Sequence, residues 1–190
     1  MKIGVIGAGT MGAGIAEVAS KKYEVVVRDI KDEFVERGKS IITKSFEKSV
    51  AKERITEDQK DEYLGRLTFT TDVNELKDCD LIVEAASENP EIKKSIFKEL
   101  DEICKEDTIL ASNTSSISIT EIAAATKRPD KVIGMHFFNP ATIMKLVEII
   151  KGITTSDETV EKVKKIAEEM GKTGVEVNEA PGFVVNRILV

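Results

Sequence analysis

A glycine-rich turn close to the amino terminus constrains the fold of this chain more than any other feature. Residues 7–12 read Gly-Ala-Gly-Thr-Met-Gly, follow the β-branched run 3–6 directly, and lead into an Ala-rich helical stretch at 11–20. A Gly-x-Gly-x-x-Gly hexapeptide alone is weak evidence, because structural turns rich in glycine are common. Between a strand and a helix, however, it is typical of a turn that holds the phosphates of a dinucleotide.

Each position of the turn has a physical role in that interpretation. Gly7 permits the tight bend, Gly9 lets backbone N–H groups approach a pyrophosphate, and Gly12 allows the helix to pack closely on the strand. The N-terminus of the helix then faces the anion. We therefore expect a cofactor-binding turn formed by Gly7, Gly9, Thr10, Met11 and Gly12.

Asp29 predicts which dinucleotide binds. It follows the predicted strand 24–28 and lies about 20 positions after Gly7, the usual spacing for an acidic residue that binds the ribose. A carboxylate accepts hydrogen bonds from a ribose 2′-OH and repels a 2′-phosphate, which favours NAD over NADP. Arg28 and Lys31 flank Asp29, so NADP remains the alternative.

Short β-branched runs alternate with amphipathic stretches along the chain. This pattern predicts an α/β fold of the doubly wound Rossmann type, a mostly parallel sheet with helices on both faces, and a helical hairpin insertion. The predicted strands are 3–6, 24–28, 67–71, 81–84, 108–111, 131–137, 146–150 and 174–177. The predicted helices are 11–20, about 31–52, 57–64 with Gly65 as the terminating residue, 91–104, 120–125 and 157–170. The apolar face expected for helix 91–104 consists of Ile92, Ile96, Phe97, Leu100 and Ile103.

The charge balance excludes several classes of partner. The 28 basic residues are outnumbered by 34 acidic ones, for a net charge of -6, whereas nucleic acids and anionic membranes attract a cationic excess. No apolar run approaches the ~18 residues of a membrane-spanning helix. Cys79 and Cys104 form no CxxC pair and lie far from His136 in sequence, so no metal site is expected and the pattern suits the reducing cytoplasm.

His136 is the only histidine, so any imidazole chemistry must use it. A structural role is the alternative for a lone histidine. Catalysis is favoured because His136 lies near the end of predicted strand 131–137, where ligands of open α/β sheets bind, and Glu148 lies in the next strand. A carboxylate bonded to one ring nitrogen fixes the tautomer and stabilises the imidazolium. Without such a partner, Glu148 would be a costly unpaired charge within an apolar run.

A polar segment, Ser-Asn-Thr-Ser-Ser at 112–116, follows predicted strand 108–111 at the same edge of the sheet. It has two interpretations that the residues alone leave open. Its hydroxyl and amide groups either face the nicotinamide and the substrate, or form a polar loop that caps the next helix.

Several motifs together resemble the 3-hydroxyacyl-CoA dehydrogenase family, and within it the 3-hydroxybutyryl-CoA dehydrogenases. Besides the turn at 7–12, they are Glu-Asn at 88–89 with Ile-Lys-Lys at 92–94, Ala-Ser-Asn-Thr-Ser-Ser at 111–116, His-Phe-Phe-Asn-Pro at 136–140, Met-Lys-Leu-Val-Glu at 144–148 and Pro-Gly-Phe-Val-Val-Asn-Arg at 181–187. The resemblance implies an oxidoreductase that interconverts (3S)-3-hydroxyacyl-CoA and 3-oxoacyl-CoA with NAD(H). A non-catalytic NAD(H)-binding or structural protein derived from the same family is the alternative.

The resemblance also implies roles for individual residues. His136 would take the proton of the 3-hydroxyl group, Glu148 would orient His136, and Ser115 and Asn186 would bond the reacting oxygen and the thioester region. The positions expected near the NAD ribose and nicotinamide are Glu88, Lys93, Asn113, Ser115 and Asn139.

A lysine stripe marks the helical region after Asp29. Lys44, Lys48 and Lys52 recur every four residues and therefore share one helix face, beside Ser45. A solvated charged face is the usual interpretation of such a stripe. The resemblance implies instead that Ser45 and Lys52 contact the CoA portion of an acyl-CoA substrate, whose phosphates attract lysines.

The resemblance divides the chain into an NAD-binding domain, 1–185, and the start of a C-terminal helical domain, 186–190. An apolar helix is predicted from about 182, and its folding back onto the sheet is the alternative to a continuing domain. In this family the helical domain forms the dimer, so a homodimer is expected only if that domain is present.

Overall fold

The computed structural model describes residues 1–180 and 183. The strands are β1 (Lys2–Ile6), β2 (Glu24–Arg28), β3 (Leu67–Thr70), β4 (Leu81–Glu84), β5 (Ile109–Ser112), β6 (Val132–Phe137), β7 (Leu146–Lys151) and β8 (Thr173–Asn178). The helices are α1 (Thr10–Ser20), α2 (Asp32–Ala51), α3 (Glu57–Gly65), α4 (Pro90–Ile103), α5 (Ile119–Ala123) and α6 (Asp157–Glu169). Two short 3-10 helices, Val73–Leu76 and Pro129–Lys131, have no counterpart among the predicted elements.

These strands form one sheet in the order β3-β2-β1-β4-β5-β6-β7-β8. All neighbouring pairs are parallel except β6 and β7, which run antiparallel. The predicted doubly wound α/β class with a mostly parallel sheet is therefore confirmed. Strand order reverses at β1, which lies between β2 and β4, and the crevice at the carboxyl ends of these strands is where such sheets bind ligands.

The central strands are buried on both faces of the sheet, and successive side chains of each strand point to opposite faces. On β1, Val5 belongs to the hydrophobic cluster that α1, α2 and α6 cover, whereas Ile6 belongs to the cluster that α4 and α5 cover. On β4, Val83 and Ile82 divide between the two clusters in the same way. This double burial explains why the strands read as continuous apolar runs in the sequence.

The predicted helical hairpin consists of α2 and α3 and packs on α1. Ile42 and Phe46 anchor α2 in the core. A capping box starts α3, in which Gln59 N–H donates to Thr56 Oγ1 at 3.1 Å and Thr56 N–H donates to Gln59 Oε1 at 2.9 Å. Reciprocal bonds of this kind satisfy donors that the first helical turn leaves open.

Gly65 was predicted to follow the last residue of this helix as its terminating residue, and this prediction was wrong. Gly65 is the last helical residue, and Arg66 follows it with φ -85 and ψ -5. The Arg66 carbonyl already accepts a hydrogen bond from Val25 N–H at 2.9 Å, next to the start of β3. Because the chain enters the sheet directly, it needs no left-handed residue to reverse its direction.

The predicted helix from 182 and the expected boundary between 185 and 186 lie outside the described residues. Within the described part of the chain, no helix is both long and apolar enough to cross a membrane.

Two glycine substitutions test the close packing of α1 on β1. A Cβ on Gly12 would lie 1.8 Å from the Gly7 carbonyl oxygen, whereas one on Gly65 would meet nothing within 4 Å. We expect Gly12→Ala to lower the free energy of unfolding by at least about 2 kcal/mol through overpacking. Gly65→Ala should raise it by about 0.5–1 kcal/mol, because alanine favours the helix. Urea denaturation measures both, and a stable Gly12→Ala variant would contradict this packing.

Candidate active site and cofactor cleft

The glycine-rich turn leaves the N-terminus of α1 open. Gly7 has φ +95, a conformation that favours glycine, and Gly9 is the N-cap of α1 without a side-chain hydrogen bond. The first turn of α1 contains no acidic residue. A Cβ on Gly9 would meet nothing within 4 Å, so the space next to the helix N-terminus is open to a ligand. Backbone N–H groups that point into such a space suit a pyrophosphate.

Asp29 supports this turn from the end of β2. Its Oδ2 accepts a hydrogen bond from Ala8 N–H at 2.7 Å, and its Oδ1 accepts one from Ile30 N–H at 2.7 Å. A cleft of about 510 Å³ opens beside Asp29. Its lining includes Gly7, Gly9, Asp29, Ile30, Phe34, Ile92 and Ile96. A largely apolar cleft with the Asp29 carboxylate at the end of β2 fits a flat heterocycle and its ribose.

His136 and Glu148 lie directly opposite each other on β6 and β7. Directly opposite side chains on antiparallel strands lie within contact distance. His136 Nδ1 is 2.8 Å from Glu148 Oε2, and the two residues are only 5% and 1% exposed. Although Glu148 lies within an apolar run, its carboxylate is therefore paired with the imidazole of His136.

The other ring nitrogen of His136 faces the polar segment after β5. Ser115 Oγ lies 3.3 Å from His136 Nε2. The imidazole also packs against the rings of Phe138 and Phe183, with centroids 4.7 Å and 5.7 Å away. When Nδ1–H donates to Glu148, Nε2 keeps a lone pair that can accept a proton.

Glu88 holds this polar segment in place. Its carboxylate accepts hydrogen bonds from Thr114 Oγ1 and, at 2.9 Å, from Ser115 N–H. Burial alone would raise the pKa of Glu88, but these bonds and the Lys93 ammonium hold the pKa below its ordinary value. Glu88 thus stays ionised and fixes the backbone that carries the Ser115 hydroxyl.

Lys93 lies beneath Glu88 and is only 1% exposed. Its Nζ donates to both oxygens of the fully buried Glu84, at 2.7 Å and 2.9 Å, and lies 3.4 Å from Glu88 Oε2. Ser112 Oγ also donates to Glu84 Oε2, at 2.7 Å. The expected apolar face of α4 was therefore wrong in part, because Lys93 is buried while Ile92 is 46% exposed beside the cleft.

Two asparagines expected near the cofactor take different places. Asn113 Oδ1 accepts a hydrogen bond from Phe137 N–H at 2.8 Å and so ties the segment after β5 to β6. Asn139 is exposed just beyond β6. Asn186 lies outside the described residues. Thr10 and Met11 form the first turn of α1, where Thr10 is exposed and Met11 is half-buried.

A second cleft, of about 470 Å³, lies between α1 and the α2–α3 hairpin. Ser45 and Lys52 both line it, together with Lys48, whereas Lys44 does not. Thr142 and Ile143, from the segment after the His136 strand, form another wall. The two residues expected to contact CoA thus share a cleft that reaches the connection between β6 and β7.

Glu84 and Thr114 are site residues that no sequence argument singled out. Glu84 ends the apolar run Leu-Ile-Val-Glu at 81–84. The argument that an unpaired buried carboxylate is costly, which was used for Glu148, applies equally to Glu84. Thr114 gave no comparable signal within its polar segment. Among residues 1–180 and 183, no group of three or more His, Cys, Asp or Glu side chains is placed to hold a metal ion.

Known proteins are similar in sequence and in fold to nearly the whole of this chain. A sequence profile described as "3-hydroxyacyl-CoA dehydrogenase, NAD binding domain" matches residues 2–180. The chain is 54% identical to a probable 3-hydroxybutyryl-CoA dehydrogenase from Deinococcus radiodurans, with 100% of this chain and 68% of that protein covered. Identity to the 3-hydroxybutyryl-CoA dehydrogenase of Clostridioides difficile is 51%, with the same coverage.

Solved structures agree with these sequence matches. The crystal structure of (S)-3-hydroxybutyryl-CoA dehydrogenase PaaH1 from Ralstonia eutropha has 46% sequence identity and a TM-score of 0.97. The match covers 99% of this chain and 67% of that chain. The chain therefore spans about two thirds of the length of these relatives.

Replacing Lys93 tests whether it is a buried counter-ion. We expect Lys93→Met to lower the free energy of unfolding by about 3–5 kcal/mol, because Glu84 is left as a buried charge without its ammonium. The matched control is Lys94→Met, which removes the same charge from a half-buried neighbour in surface ion pairs and should cost at most about 1 kcal/mol. Equal losses in urea denaturation would refute the buried pair.

Proposed function

We propose a function on the premise that this chain belongs to the 3-hydroxyacyl-CoA dehydrogenase family and folds as its NAD-binding domain. The reaction is the interconversion of (3S)-3-hydroxyacyl-CoA, with 3-hydroxybutyryl-CoA as the first candidate, and 3-oxoacyl-CoA. The observation that carries the proposal is the His136–Glu148 pair, with Nδ1 and Oε2 2.8 Å apart and Ser115 Oγ at the other ring nitrogen.

His136 acts as the general base of the oxidation. Its Nδ1–H donates to Glu148, so the Nε2 lone pair accepts the proton of the 3-hydroxyl group. The nearby carboxylate stabilises the imidazolium that forms. In the reverse direction, the same imidazolium returns the proton to the carbonyl oxygen. The Ser115 hydroxyl lies next to Nε2 and bonds the reacting oxygen, and Asn186 is proposed to act with it.

NAD supplies the hydride acceptor of this reaction. Gly7, Gly9, Thr10, Met11 and Gly12 form the turn whose backbone N–H groups face its pyrophosphate, and Asp29 accepts from its ribose. Glu88, Asn113, Ser115 and Asn139 are proposed to bound the nicotinamide half. The ammonium of Lys93 is already bonded to Glu84 and lies near Glu88, so Lys93 acts on the cofactor through Glu88.

The CoA portion of the substrate binds in the second cleft, where Ser45 and Lys52 lie. Residues 1–185 are proposed as the NAD-binding domain, and a homodimer is proposed only for a chain that carries the helical domain of this family. Acyl-CoA is thus the proposed small-molecule partner, and the cytoplasm is the proposed compartment.

Replacing His136 separates catalysis from cofactor binding. We expect His136→Gln to lower the rate of NADH oxidation with acetoacetyl-CoA by at least ~100-fold, because the proton donor and acceptor is gone. NADH affinity, measured by fluorescence titration, should stay nearly unchanged. The opposite control is Gly9→Ala, whose added methyl group fills the phosphate space and should weaken NADH binding without loss of folding.

Weakened NADH binding with a residual rate in His136→Gln would contradict the catalytic assignment. A wild-type chain that binds NADH but never oxidises it with acetoacetyl-CoA would favour the non-catalytic NAD(H)-binding alternative.

A further inference from the structure

A buried carboxylate lines the second cleft and belongs to none of the roles above. Glu17 lies on α1 and is only 4% exposed. Ser45 Oγ donates to Glu17 Oε1 at 2.8 Å. Glu17, Ser45 and Ser49 line the cleft together, and Lys21, Lys48, Lys52 and Arg54 surround them.

The hydroxyl protons of both serines are already used within the protein. Ser45 donates its proton to Glu17, and Ser49 Oγ donates to the Ser45 carbonyl oxygen at 3.0 Å. A serine hydroxyl has one donor and two acceptor sites, so each oxygen can only accept a hydrogen bond from a ligand. Glu17 Oε2 makes no hydrogen bond to the described residues. Every fully buried side-chain oxygen among these residues has a hydrogen-bond partner, so Oε2 is not fully buried and is accessible from the cleft that Glu17 lines.

The groups around Glu17 shift the pKa of its carboxyl in opposite directions. Burial raises the pKa of Glu17 above its ordinary value, and the hydrogen bond from Ser45 and the ammonium of Lys21 offset only part of this rise. Lys48, Lys52 and Arg54 add positive charge to the same cleft. An ionised Glu17 can only accept a hydrogen bond from Ser45, so neither of these two side chains offers a hydrogen-bond donor to the cleft.

We propose that the oxygens of Glu17, Ser45 and Ser49 form a surface of hydrogen-bond acceptors in the second cleft, called the floor below. This floor binds an amide N–H of the substrate's pantetheine arm, and Glu17 keeps it free of donors by accepting the Ser45 proton. The inference rests on the proposed function, because it takes the ligand to be a CoA thioester. The cationic rim of Lys48, Lys52 and Arg54 binds the phosphates instead.

The amide of the arm suits this floor for two reasons. A phosphate oxygen carries no proton to donate and is repelled by a carboxylate. The cleft wall also includes Thr142 and Ile143, so the cleft extends to the connection that directly follows the His136 strand. The adenine amino group of CoA is the other N–H donor, and the experiment distinguishes the two.

Glu17→Gln tests the proposal. Whichever way the new amide is turned, one donor replaces an acceptor of the wild type, either toward Ser45 or toward the ligand. We expect the dissociation constants of CoA and of 4′-phosphopantetheine to rise about tenfold. The dissociation constant of adenosine 3′,5′-bisphosphate should not rise, because the substitution removes a negative charge from the cleft. Calorimetric titrations with saturating NADH keep the cofactor cleft filled.

Two further variants serve as controls. Glu47→Gln removes the same charge from an exposed position of α2 that does not line the cleft, and should change no affinity. Lys52→Met should weaken adenosine 3′,5′-bisphosphate and CoA, because it removes a cation from the rim. The thermal unfolding midpoint of Glu17→Gln checks its fold, which we expect to be retained because the substitution removes a desolvated charge.

The pattern of affinities decides the outcome. Unchanged CoA binding in Glu17→Gln, or a loss confined to the adenosine ligand, would overturn the floor. Equal losses for all three ligands would indicate a general disturbance of the cleft and also overturn it. Because these are binding measurements, a chain that gives the expected pattern but does not oxidise NADH would refute the proposed reaction and not the floor.

Discussion

The hydrogen bond between His136 and Glu148 depends on the one antiparallel strand pair, among the described residues, in an otherwise parallel sheet. Antiparallel pairing of β6 and β7 brings two residues twelve positions apart directly opposite each other. Both side chains are carried by strands and buried by neighbouring elements, so neither depends on a loop for its position. The Ser115 segment only has to present its hydroxyl to a ring that is already oriented.

Buried charge organises the rest of this edge of the sheet. Glu84, Lys93 and Glu88 form a chain of ionic contacts from the end of β4, through α4, to the backbone of Ser115. Each buried charge requires a partner, because desolvation is otherwise too costly. Within the described residues, no buried polar side-chain atom lacks a hydrogen-bond partner. The same requirement leaves Glu17 dependent on Ser45 and on the cations of the second cleft.

The sequence predicted most of the fold, because apolar periodicity reports burial on a strand or helix face. It failed where a polar residue is buried through a tertiary partner, as with Lys93, since the spacing of apolar residues cannot reveal that partner. It also failed at Gly65, where the path into β3 decides the helix end. The Asp29 and His136–Glu148 arguments came from residue chemistry, whereas the roles of Glu88, Asn113, Asn139 and Ser45 came only from family resemblance.

The tautomer of His136 tests the central claim most directly. Because the chain contains a single histidine, its imidazole ¹⁵N signals are free of overlap. At a pH where the ring is neutral, the account predicts a proton on Nδ1, bonded to Glu148, and an unprotonated Nε2. A proton found on Nε2, or two tautomers in exchange as in free imidazole, would contradict it.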